Sequence, residues 1–107
     1  MFYKIDEYKA KSLVKEYLIE LGYSTNLKII RNNLDNGNFE YYVHDLLTYR
    51  NKKTKTITVI NCSEFIKIIK IKTCFSNNCR INPVVKNDKM FYNITYNDEF
   101  KMLRKSR

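Results

Sequence analysis

The side chains equipped for metal or nucleophilic chemistry are few: one histidine, His44, the acid beside it, Asp45, and three cysteines, Cys62, Cys74 and Cys79. Cys₃His is a donor set that suits zinc. Here, however, Cys74 and Cys79 are separated by four residues, wider than the tight pairs of zinc ribbons, and the remaining donors are scattered. An odd cysteine count without dense, even spacing predicts reduced thiols in a reducing compartment. A cysteine nucleophile would need His44 as its base, and nothing in the local sequence prepares that pair. Gly22 and Gly37 stand alone, so no glycine-rich loop cradles a phosphate. The expectation is a chain with no catalytic residue, no metal and no cofactor.

The abundant chemistry is cationic. Twenty Lys and Arg face eleven Asp and Glu, a net charge of +9 with a pI near 9.5. Such a field draws in polyanions and speeds their encounter. Codon bias accounts for part of it: Lys, Asn, Ile, Tyr and Phe are frequent and Ala10 is the only alanine, as an AT-rich genome would dictate. That bias does not by itself deplete acids. The excess is also uneven, +3 over residues 1–62 and +6 over residues 63–107, so a polyanion contact is expected toward the C-terminal half. The candidate phosphate contacts are Lys67, Lys70, Lys72, Arg80, Lys86 and Lys89, with Arg50, Lys52, Lys53 and Lys55 extending the strip. Tryptophan is absent, so the nine tyrosines and six phenylalanines must also build the core, and most of them are expected there. Tyr42, Tyr92 or Tyr96 on a wet sheet face would be placed to stack bases.

These side chains need elements to hold them. Asp6 can cap a helix running to about Leu21, whose apolar stripe is Ala10, Leu13, Val14, Tyr17, Leu18 and Leu21, with Gly22 placed for a left-handed C-cap. Strands over residues 26–34 and 39–50 flank Asn36-Gly37, the strongest short-range hairpin signal. In the second of these strands Phe39, Tyr41, Val43, Leu47 and Tyr49 share a face, and the parity of Asp45 puts it on that same apolar face. Asn51-Lys52-Lys53 reads as a turn into a β-branched strand, Thr54 to Cys62. Ser63 can cap a helix over 64–75, with an apolar arc of Phe65, Ile66, Ile68, Ile69, Ile71 and Phe75 that Lys72 interrupts; its isoleucines also allow a strand over 69–75. A hairpin, 81–86 with 90–97 across Asn87-Asp88-Lys89, and a short basic terminal helix complete the chain. The fold class expected is α+β in a single domain over residues 1–107, in the order α-β-β-β-α-β-β, with a mostly antiparallel sheet and helices on one face.

Three known architectures share parts of that order. It is similar to that of restriction-endonuclease-like nucleases, which place an Asp on the second strand and Glu-x-Lys on the third to hold a divalent metal. Asp45 fits the first position, but Asn61 and Ser63 stand where the Glu and Lys would be. That resemblance implies at most a nuclease scaffold retained for binding. The order through residue 75 also resembles a double-stranded-RNA-binding domain, although Ser63-Glu64-Phe65-Ile66 is not that family's lysine-rich helix start. A winged helix-turn-helix would use 64–75 in a groove and 81–97 as the wing, with residues 25–34 as a short helix capped by Thr25 and Lys67, Lys70, Arg80, Lys86 and Lys89 in one strip.

The function expected is non-catalytic nucleic-acid binding, to duplex DNA ahead of RNA, by an accessory protein of a plasmid, phage or other mobile element. A homodimer is compatible, because dimers read paired half-sites. The alternatives are a protein-interaction module, such as an inhibitor of a host nucleic-acid-handling defence complex or a toxin-antitoxin component, and a small ribonuclease toxin using Lys, Arg and Tyr. No apolar run approaches the roughly 20 residues of a membrane span, and the N-terminus lacks a signal peptide's pattern, so a cytoplasmic protein without a membrane partner is expected.

Overall fold

A computed structural model of the chain describes residues 2–49, 52–73 and 79–96. Among the described residues the elements run β1 (Phe2–Asp6), α1 (Glu7–Glu20), β2 (Leu27–Asn33), β3 (Phe39–Tyr49), β4 (Lys52–Asn61), α2 (Cys62–Thr73), β5 (Cys79–Lys86) and β6 (Lys89–Tyr96). They form two antiparallel three-stranded sheets, β1-β6-β5 and β2-β3-β4. The α+β class and the expected order are both present, preceded by one further strand. Arg50 and the expected terminal helix lie outside the described residues.

α1 forms as its caps dictate. The Asp6 carboxylate accepts from the Lys9 amide at 2.7 Å, satisfying one of the orphan donors of the first turn. At the other end Gly22 takes φ +102°. Its amide donates to the Ile19 carbonyl at 3.0 Å and that of Tyr23 to the Leu18 carbonyl at 3.1 Å, the paired bonds of a Schellman ending. Ala10, Val14 and Leu18 are buried along one stripe. α2 starts two residues earlier than its hydroxyl signal suggested: the Asn61 side chain, and not Ser63, accepts from the Glu64 amide at 2.9 Å. Residues 62–73 are helical, not extended, because Phe65, Ile68 and Ile69 recur at helical spacing and bury together.

Both hairpins differ from the sequence reading in the turn. Asn36-Gly37 falls in a short 3₁₀ turn, Asp35–Gly37, and Leu34 N–H donates to Asn38 C=O at 2.9 Å to close the wider loop. The two-residue turn lies instead at Asn87-Asp88, where φ is +52° and +61°, as a type I′ turn needs. Lys86 therefore pairs with Lys89 across it. Lys52 and Lys53 are strand residues paired with Tyr49 and Thr48, not a turn. Residues 27–33 are strand β2, which removes the helical pair of the winged-helix variant.

α1 packs on β1, β6 and β2, α2 packs on β3, β4 and β5, and the helices pack on each other. One core joins everything. Phe65 of α2 stacks on Tyr41 of β3 at 4.0 Å between ring centroids and tilts against Tyr92 of β6 at 5.9 Å. All three are fully buried. The radius of gyration, 15.8 Å, exceeds the ~13 Å of a compact globule this size. The reason is flatness: the extents are 52 × 37 × 19 Å, and the short one matches a sheet layer and a helix layer about 10 Å apart. Among the described residues, each sheet thus keeps one face uncovered by helix.

Candidate nucleic-acid interface

Register fixes which side chains share the uncovered face of the β1-β6-β5 sheet. Met90, Tyr92 and Ile94 of β6 and Cys79 and Ile81 of β5 are buried. Residues of the opposite parity must then face out. Across the strands, Thr95 and Arg80 form one row, Lys4, Asn93 and Asn82 the next, and Asp6, Phe91 and Val84 the third, with Lys89 beside Lys86 at the turn. Lys4, Arg80, Lys86 and Lys89 are exposed on this face. Among the described residues, the acid sharing its parity is Asp6, held as the cap of α1; Asp88 stands in the turn. Arg80 and Lys86 are six residues apart, so the cationic face is about 20 Å long.

The sequence candidates divide between two sides of the molecule. Arg80, Lys86 and Lys89 gather on this open face. Lys67 and Lys70 belong to α2, which packs on the buried side of β3, β4 and β5, so no single strip joins them. Lys67 borders an apolar groove of about 270 Å³ with Leu18, Leu21, Ile68 and Ile71, beside Glu64. Lys72 bridges the helices: its Nζ lies 2.7 Å from Glu20 Oε1, and that hydrogen bond raises its pKa. It interrupted the apolar arc in sequence because it reaches α1. Lys52, Lys53 and Lys55 lie in β4, but their side chains, like Arg50, are outside the described residues.

Two members of this face escaped the sequence reading. Lys4 was missed because β1 pairs with β6, about ninety residues on, and five residues carry little periodicity. Phe91 was missed because β6 bears aromatic rings on both faces. Tyr92, proposed from the sequence as a stacking residue, is fully buried, and Phe91 has the outward place. The Tyr96 side chain is outside the described residues. Tyr42 does face outward, on the other sheet, where its hydroxyl donates to Glu40 at 2.9 Å.

Polar side chains of α1, β2, β3 and β6 are tied to one another in the interior. Glu7 Oε1 accepts from Arg31 Nη1 at 3.1 Å and from the Tyr41 hydroxyl at 3.3 Å, and Tyr41 lies 3.3 Å from the Tyr92 hydroxyl. Burial, then the Tyr92 contact, drives the Tyr41 phenol far above its ordinary value, and burial pushes Tyr92 up to about 12. Both stay neutral near pH 7, so neither is a ready base. The adjoining cleft, about 400 Å³, sets Asp6, Glu7 and Asp88 against Arg31 and Lys89. Asp45 is buried on the apolar face, as its parity required. Its Oδ2 accepts from the Ser24 amide at 3.2 Å and anchors the α1–β2 loop. Asn61 caps α2 and Ser63 lies inside it, so the two positions at which the nuclease pattern needs its Glu and Lys hold neither.

Cys79 is disulfide-bonded, which corrects the expectation of three reduced thiols: an odd count still leaves room for one bridge. Cysteine usage therefore gives no support for a reducing compartment, and Cys79 is removed from any metal set. Cys62 is a free thiol whose pKa burial pushes up, the reverse of an activated nucleophile. His44 lies on the open face of the other sheet, opposite Ile57. Among the described residues, no helix is long and apolar enough to cross a membrane. No family model, characterised protein or solved structure matches the chain.

Proposed function

We propose that this chain is a non-catalytic nucleic-acid-binding protein that grips a phosphate backbone with the open face of its β1-β6-β5 sheet. One observation carries the reading: strand register brings Lys4, Arg80, Lys86 and Lys89 onto one exposed face. Asn82, Asn93 and Thr95 supply hydrogen-bonding groups between the cations. Phosphates attract these cations whatever the base sequence, so duplex DNA, the substrate expected from the sequence, and single strands are both within reach.

The test is a titration of mixed-sequence oligonucleotides at several salt concentrations. Four phosphate contacts predict a log K against log salt slope of about −2.8 on single strands and about −3.6 on duplex DNA. Replacing Lys4, Arg80, Lys86 and Lys89 together by Gln flattens the slope, whereas Lys67→Gln with Lys70→Gln leaves it nearly unchanged. The opposite ranking, or binding indifferent to salt, overturns the assignment.

A second reading has its own observation. On the open face of β2-β3-β4, Ile30, Ile57 and Val59 are 41%, 54% and 49% exposed. Ile30 and Val59 flank Tyr42 in one cross-strand row. Clustered apolar exposure of this kind marks protein contacts, which favours an interaction module. Tight capture of a protein partner, lost with Val59→Lys and retained in the four-Gln variant, would support it.

A further inference from the structure

The same open face holds a cleft of about 180 Å³ formed by Lys4, Val84, Lys86, Phe91 and Asn93. It is smaller than the ~300–1,000 Å³ of pockets that take drug-sized ligands, and its composition suits one flat polar ring. Phe91 lies on the central strand, half-buried, and meets no other aromatic ring among the described residues. Val84 stands directly across from it on β5. Asn93, two residues along β6, presents a carboxamide on the same face, with Lys4 as its cross-strand partner. Lys86 borders the cleft from the turn side. The arrangement is therefore an aromatic floor, an apolar wall, one group that can both donate and accept, and a cation at either end.

The geometry points to this cleft as a subsite for an unpaired nucleobase. The base stacks on Phe91, its edge hydrogen-bonds to the Asn93 amide, and the phosphates on either side meet Lys4 and Lys86. This deepens the nucleic-acid reading and rests on it. Bases inside a duplex stay stacked on their neighbours and cannot lie on a protein ring without being extruded. Single strands offer their faces freely, and an aromatic platform between basic residues is how sequence-tolerant single-strand binding is built. The site therefore selects single-stranded over double-stranded polymer, against the duplex preference expected from charge alone. The base and its phosphates are common to DNA and RNA, and the two sources are separated by experiment.

Fluorescence anisotropy with labelled oligothymidine, oligouridine and a mixed-sequence duplex of equal length tests this on the full chain, with circular dichroism confirming each variant's fold. Wild type is expected to bind at least one single strand more tightly than the duplex. Phe91→Leu keeps an apolar side chain but loses the ring, and is expected to weaken single-strand binding about tenfold, within the roughly 5- to 150-fold that one stacked base represents. Duplex binding should change little, and Phe91→Tyr should restore the single-strand affinity. Oligothymidine ahead of oligouridine assigns the strand to DNA, the reverse order to RNA, and either order supports the subsite. Single strands and duplex bound equally with no effect of Phe91→Leu overturn the subsite while leaving the phosphate-binding face standing. No binding to any of the three overturns both.

Discussion

Phe65→Ala reports on whether the two sheets share one core. The Phe65 ring is fully buried. It stacks on Tyr41 at 4.0 Å, meets Phe39 edge-on at 6.2 Å and tilts on Tyr92 at 5.9 Å. Removing a buried Phe side chain costs about 3–5 kcal/mol, and ring pairs of this kind add ~0.5–1.5 kcal/mol beyond area. Two of the contacts go to one sheet and one to the other, so the loss should fall near 4 kcal/mol. A domain of this length is stable by roughly 5–15 kcal/mol, so the variant forfeits a large part of its margin. With an unfolding entropy of about 2.1 cal/mol/K per residue, the melting temperature should fall by about 18 °C. Urea unfolding followed by both far-ultraviolet circular dichroism and tyrosine fluorescence measures the loss. A destabilisation below about 1.5 kcal/mol, typical of an ordinary site, would refute the bridging role. So would two separate transitions, which would mean that the sheets unfold independently.

Three further outcomes follow from particular contacts. Gly22→Ala meets no neighbouring atom within 4 Å, yet keeps a backbone at φ +102°, so thermal unfolding should show a loss of about 1–2 kcal/mol from left-handed strain alone. Tyr41 and Tyr92 have phenol values raised by burial. Their contribution is complete below the unfolded value of 10.0 and is lost as pH climbs through the folded value, about 12 for Tyr92. Alkaline titration at 295 nm should thus leave at least two of the nine tyrosines un-ionised at pH 11 while the fold persists; full ionisation of a folded chain contradicts the burial. Lys72→Met removes the bridge to Glu20 and should cause a small drop in melting temperature at low salt that vanishes at high salt, as for a solvent-accessible pair.

Local patterns were legible wherever one face was buried and the other wet. α1 could be drawn from Asp6, its apolar stripe and Gly22, because cap, period and stop agree. Asp45 could be put on the inner face by parity alone. What escaped depended on distant pairing. β1 is a strand because Phe2–Asp6 meets Phe91–Thr95 at the other end of the chain, and no local signal encodes that. Phe91 and Tyr92 are adjacent rings, and only the burial of Met90 and Ile94 decides which of the two points outward. The basic strip was misjudged for the same reason: lysines of α2 and of β5–β6 are close in sequence, but a sheet lies between their faces. Asn87-Asp88 took the tight turn in place of Asn36-Gly37 because β5 and β6 continue pairing to Lys86 and Lys89, whereas β2 and β3 stop at Asn33 and Phe39.

An NMR titration of the isotope-labelled chain with a short oligonucleotide at low salt tests most directly where nucleic acid binds. Amide shift changes should concentrate on Lys4, Arg80, Asn82, Lys86, Lys89, Phe91 and Asn93, with Lys67, Lys70 and the Ile30–Tyr42–Val59 row unmoved. Changes centred on α2 or on that apolar row, or no changes at all, would contradict it.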